Sequence, residues 1–132
     1  MRRWPFIILV LFLLIGCNNN QDPHNTTNDD VPEIVEVSFK TSPESVRVNQ
    51  EVQLIAIISQ GEELVDDASL VEFEIWKDGQ SKDQHEKIEA NNKKNGEYTA
   101  FYSFKETGKY FIISHTTARD LHTMPTNELM VQ

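Results

Sequence analysis

Val71-Glu72-Phe73-Glu74-Ile75-Trp76-Lys77-Asp78-Gly79-Gln80 is the stretch on which the fold class turns. Val71, Phe73 and Ile75 alternate with Glu72 and Glu74, the two-residue period of a strand with one face on a core and the other toward water. Lys77-Asp78-Gly79-Gln80 then supplies a turn. The same alternation recurs outward in both directions. Val35, Val37 and Phe39 alternate with Glu36, Ser38 and Lys40; Tyr98, Ala100, Tyr102 and Phe104 form another set; Tyr110 and Ile112 open a fourth. Val52 to Ile58 is apolar at nearly every position, as expected of a central strand covered on both faces. Turn signals separate these runs at Ser42-Pro43, Gln60-Gly61, Asp78-Gly79, Asn95-Gly96 and Thr107-Gly108. Short strands at this spacing predict an all-β antiparallel sandwich over residues 33–132, long enough for one core and not for two. Only Asp83 to Asn92 leaves the choice open, between a short helix and an edge strand.

Upstream of that domain the chain changes character twice. Met1-Arg2-Arg3 and the uncharged run Trp4 to Leu14, ending in Gly16-Cys17, have the shape of a secretory leader too short for a permanent span. Its ending resembles a bacterial lipoprotein lipobox. The expectation is a signal peptide over 1–16 and a diacylglyceryl anchor on Cys17, which puts the protein on the extracytoplasmic face of the cell membrane. Two acyl chains hold a small protein at a bilayer where one would not. Residues 17–32 are rich in Asn, Asp and Thr, lack aromatic residues and read as a flexible tether.

Charge and composition narrow the function. The chain has 12 Lys+Arg against 21 Asp+Glu, a net charge of −9, and the loss of Arg2 and Arg3 with the leader makes the rest more acidic still. Such a surface repels phosphate backbones, which argues against a nucleic-acid partner. Cys17 is the only cysteine, so the domain has neither a disulfide nor a thiolate metal site. There is no nucleophile elbow, no phosphate-cradling glycine loop and no His-Glu-x-x-His motif. Asp66-Asp67 and Asp29-Asp30 lack the spaced oxygen ligands of a calcium loop and read as solvated charge. A non-enzymatic protein is expected.

The remaining chemistry lies in His115-Thr116-Thr117-Ala118-Arg119-Asp120-Leu121-His122-Thr123-Met124-Pro125. Taking Tyr110 and Ile112 as inward, alternation places Phe111, Ile113 and His115 on the outer face. A hairpin centred between Ala118 and Arg119 pairs His115 with His122 and leaves Met124 on the same face. Ala-Arg is a poor two-residue turn, which leaves a longer or irregular loop as the alternative. Imidazole suits copper, zinc and nickel, and a thioether selects copper. His115, His122 and Met124 are therefore the candidate ligands of a copper ion, with His85 a fourth oriented by Glu86. The competing structural reading makes each histidine a half-exposed ring and Met124 plain apolar cover.

Glu106-Thr107-Gly108-Lys109-Tyr110 resembles the approach to a late strand of immunoglobulin-like domains, where a tyrosine packs at a corner. Together with Gly96-Glu97-Tyr98-Thr99-Ala100, His85-Glu86 and His115 through Pro125, it makes the chain resemble the YtkA-like domain family, related to FixH proteins. The resemblance implies an immunoglobulin-like sandwich in an extracytoplasmic setting. FixH relatives are associated with cation pumps and with assembly of copper-containing oxidases, which implies copper handling beside a membrane protein partner. This chain departs from them in carrying a lipobox where FixH proteins have a membrane helix, and Asp120 where many relatives have glycine. Two functions are carried forward. One is a membrane-tethered copper-binding sandwich. The other is a metal-free module that docks a neighbouring protein or cell-envelope component through its outer face.

Overall fold

The computed structural model describes residues 31 and 33–132. The leader, Cys17 and all of the tether except Val31 lie outside the described residues. Ten strands follow in order: β1 (Val35–Ser42), β2 (Glu51–Gln60), β3 (Glu63–Leu64), β4 (Leu70–Lys77), β5 (Glu86–Glu89), β6 (Asn91–Lys94), β7 (Glu97–Ser103), β8 (Gly108–Ala118), β9 (Leu121–Thr123) and β10 (Thr126–Val131). Among the described residues no helix is long and apolar enough to cross a membrane.

The strands form two antiparallel sheets. The first runs β1-β2-β7-β6 with β3 added to β2, and the second runs β10-β8-β4-β5 with β9 added to β8. Ordered this way, β1, β2, β7 and β6 take the places of immunoglobulin strands A, B, E and D, while β4, β8 and β10 take those of C, F and G. Alternation decides which side chains enter the space between the sheets. Val52, Leu54, Ala56, Ile58, Tyr98 and Ala100 come from the first sheet, and Val71, Phe73, Ile75, Tyr110 and Ile112 from the second, all buried. Phe39 meets Phe73 edge-on across the gap at 5.9 Å between ring centroids. Phe104 does the same with both Tyr102 and Tyr110. Tyr110 also donates its hydroxyl to the carbonyl of Glu106 at 3.0 Å, the corner geometry of immunoglobulin-like sandwiches.

Two local expectations need correction. β2 is central in its sheet, but its outer face is covered only in the middle: Ile55 is buried while Gln53 and Ile57 are half-exposed. The apolar run there reflects position in the sheet and not a third layer. Asp83 to Asn92 is neither one helix nor one strand. Lys82–Gln84 make a single 3₁₀ turn, then β5 closes the edge of the second sheet and β6 the edge of the first. The chain changes sheets at Ala90, whose N–H is held by the carbonyl of Val71 at 2.8 Å.

Asp66 and Asp67 are also more than solvated charge. Asp66 accepts the Gly96 N–H at 2.6 Å, and Asp67 accepts from Arg119 at 3.2 Å. Gly96 has φ +72°, and a Cβ there would stand 2.6 Å from the Ile58 carbonyl oxygen, so the turn before β7 requires glycine.

Candidate functional site

The β8–β9 hairpin sets the position of His122. Arg119 and Asp120 both have left-handed backbone, with φ of 50° and 62°, as a two-residue turn of type I′ requires at its two central positions. The hairpin is thus centred between Arg119 and Asp120, one residue later than expected. His122 pairs with Thr117, not with His115. Asp tolerates this conformation better than most residues, whereas Ala118 there would bear an uncompensated Cβ clash. Arg119 is held in place by its guanidinium, which donates to Gln60 at 2.9 Å, to both Glu63 oxygens at 2.8 and 3.1 Å, and to Asp67. The hydrogen bonds from Arg119, and then its charge, in turn hold the Glu63 carboxyl below the usual carboxylate range.

The shift moves His122 by two places along β8, which preserves its face. Thr117 and His115 point the same way, so the two imidazoles still meet, with ring centroids 6.0 Å apart and planes tilted by 33°. His122 is exposed, and its Nδ1 lies 2.9 Å from the Thr117 hydroxyl. Met124 falls between the Thr116–Thr123 and Ile113–Thr126 pairs, across from His115 in the same register, and is about half exposed at 49%.

His85 does not join this pair directly. It lies just before β5, beside β4, and reaches His115 through Glu74. One Glu74 carboxylate oxygen accepts from Nδ1 of His85 at 2.8 Å and the other from Nε2 of His115 at 2.6 Å. The register explains the bridge: Glu74 pairs with Ile113 on one side and Lys87 on the other, and the two histidines are its diagonal neighbours. The Glu74 side chain is only 7% exposed. Hydrogen bonds from His115 and then His85 hold its carboxyl below the usual range, against the opposing effect of burial.

Aromatic rings cover the arrangement. Trp76 stacks on the His85 ring at 4.2 Å with planes 7° apart, and Phe111 stacks on Trp76 at 5.5 Å. The Lys109 ammonium sits 5.1 Å above Phe111. Glu86, expected to orient His85, instead accepts the Tyr102 hydroxyl at 2.7 Å; Glu74 does the orienting. Sequence reasoning missed Glu74 because it alternates in β4 just as Glu72 does, and Glu72 faces Lys87 at 3.5 Å as an ordinary surface charge. Nothing in the period distinguishes the two.

With metal–nitrogen bonds of about 2 Å, imidazole rings about 6 Å apart can share one ion, and Met124 occupies the neighbouring place in register. Imidazole and thioether are donor types that a soft cation takes. No group of three or more His, Cys, Asp or Glu side chains stands ready to hold an ion among the described residues, and a His/His/Met set contributes only two residues of those types.

The YtkA-like family model matches residues 29–115. That span includes Glu74, His85 and His115 and ends before His122 and Met124. No curated protein and no solved structure matches the chain. With more than half of its length matched, the chain belongs to the YtkA-like family.

Proposed function

We propose that this protein is a membrane-tethered, extracytoplasmic sandwich, not an enzyme, that carries a copper ion and passes it to, or shields it from, a membrane protein partner. The observation that carries the reading is the approach of the His115 and His122 rings to 6.0 Å on one face of the second sheet. Met124, about half exposed, is next in register. His115, His122 and Met124 are the ligands, and copper is cargo. His85 belongs to the support of His115, with which it shares the Glu74 carboxylate.

Imidazole binds a metal only as the neutral ring, so affinity falls as pH drops below about 6.5. Tethering rests on the Arg2-Arg3 leader and on acylation of Cys17, and Cys17→Ala is expected to release the protein from membranes. The metal-free docking reading needs Phe111 and Ile113 to form an exposed apolar patch. Both are half-buried, and Phe111 is in contact with Trp76 and Lys109, so it draws less support.

The test is titration of the full chain, in detergent, with Cu(I) and with Cu(II), beside the His115→Ala/His122→Ala double variant. Copper retention by the parent and loss in the variant support the proposal. Equal retention by both removes these histidines from the account.

A further inference from the structure

An ionised carboxylate has only acceptors. Glu74 is only 7% exposed on its side chain and lies 2.8 Å from Nδ1 of His85 and 2.6 Å from Nε2 of His115. At those distances each ring nitrogen facing it must carry the hydrogen. The two contacts use different nitrogens of the two rings, so one carboxylate imposes opposite tautomers on the pair: hydrogen on Nδ1 in His85 and on Nε2 in His115. The bare nitrogens, with the lone pairs that a cation needs, are then Nε2 of His85 and Nδ1 of His115.

We infer that Glu74 is the positioning residue of this face, a single shielded carboxylate that locks two histidines in complementary tautomers and leaves Nδ1 of His115 as that ring's donor nitrogen. Two stacking contacts brace the lock. Trp76 lies flat against the His85 ring at 4.2 Å, which fixes the ring plane. Phe111 backs Trp76 at 5.5 Å. Glu72 is engaged with Lys87 at 3.5 Å, leaving Glu74 as the carboxylate that serves the rings. The arrangement parallels the general rule that a metal-binding histidine gives its other N–H to a carboxylate, which fixes its orientation and raises its basicity. One carboxylate serves two rings here, so its loss is felt at both. Only the metal-binding part of this inference rests on the copper reading. The tautomer lock stands without it.

The experiment has two arms on the full chain in detergent micelles. In the first, long-range ¹H–¹⁵N NMR correlations of the histidine rings are recorded without metal, above the pH at which free imidazole titrates, for the parent and for Glu74→Gln. The parent is expected to show hydrogen on Nδ1 of His85 and on Nε2 of His115. A glutamine amide can accept through its oxygen but must donate through its nitrogen, so Glu74→Gln can keep at most one of the two forms. Identical tautomers in the parent, or opposite tautomers that persist in Glu74→Gln, would overturn the inference; the parent result needs no variant to fold.

In the second arm, Cu(I) affinity is compared among the parent, Glu74→Gln and His115→Ala/His122→Ala. A fall of about 10–100-fold in Glu74→Gln, short of the complete loss in the double variant, supports the positioning role. Parent-like affinity in Glu74→Gln would overturn it. No copper binding by the parent would instead defeat the proposed function, and the first arm would still decide whether Glu74 locks the rings.

Discussion

The two faces of β8 differ in what holds them. On the inner face, Tyr110, Ile112, Ser114, Thr116 and Ala118 are all buried against the opposite sheet. On the outer face, Phe111, Ile113, His115 and Thr117 are half-buried, and among the described residues no second sheet lies over them. Area removed from water accounts for the first set at about 25 cal/mol per Å². The second set is ordered by specific pairs: Glu74 with two histidines, Trp76 with His85, Thr117 with His122. One strand thus carries a face held by burial and a face ordered by specific hydrogen bonds and ring contacts. Polar, hydrogen-bonded order on an outer sheet face is what a binding surface needs.

The sharpest way to break this division is to damage each face and compare stability with binding. Phe73→Ala removes a fully buried ring in edge contact with Phe39. It is expected to cost about 3–5 kcal/mol, seen as a fall in melting temperature of roughly 10–20 °C, with copper affinity retained by the folded fraction. Loss of affinity without loss of stability would erase the distinction. Tyr98→Phe is next. Its hydroxyl donates to the Val65 carbonyl at 3.1 Å and accepts the Ala68 N–H at 3.2 Å, so denaturant unfolding should show a loss of about 1–3 kcal/mol as both groups go unpaired.

The outer face is expected to show itself in pH dependence. The Glu74 carboxyl is held below its ordinary value of 4.5. Its stabilising contribution is therefore full above that pH and is lost as pH falls through the lower, folded-state value. Melting temperature measured from pH 6 downward should drop more steeply below about pH 4.5 in the parent than in Glu74→Gln. Parallel curves would mean that the two histidines do not favour the charged carboxylate. The smallest effect should come from the inner face again. Ser114 Oγ is buried with no hydrogen-bond partner among the described residues, so Ser114→Ala is expected to leave stability unchanged or raise it by about 1 kcal/mol. A loss of that size would show that the hydroxyl has a partner after all.

Much of this architecture was legible because strands on a sandwich write a period of two into the chain. Val71-Phe73-Ile75 and Tyr110-Ile112 declared their inner faces, and the turn glycines fixed where strands end. The phrase before Tyr110 foretold its corner. The meeting of His115 and His122 was legible for a subtler reason. Direct opposition in an antiparallel hairpin survives a shift of the turn centre by one residue as a shared face, so a wrong partner still gave the right side. The turn itself was misplaced because Arg119 is an unusual residue for left-handed backbone. Its position depends on Gln60, Glu63 and Asp67, which are remote in sequence. Glu74 was illegible for a related reason: its partners sit 11 and 41 residues away, and a glutamate between Phe73 and Ile75 looks like any solvated strand residue.

X-ray absorption at the copper edge of the Cu(I)-loaded full chain tests the central claim most directly, because it reports the identity of the ligand atoms themselves. The account predicts scattering from two imidazole rings and one sulfur, with ring scattering lost in His115→Ala/His122→Ala and the sulfur contribution lost in Met124→Leu. A bound ion surrounded only by oxygen, or a spectrum that none of these substitutions alters, would contradict it.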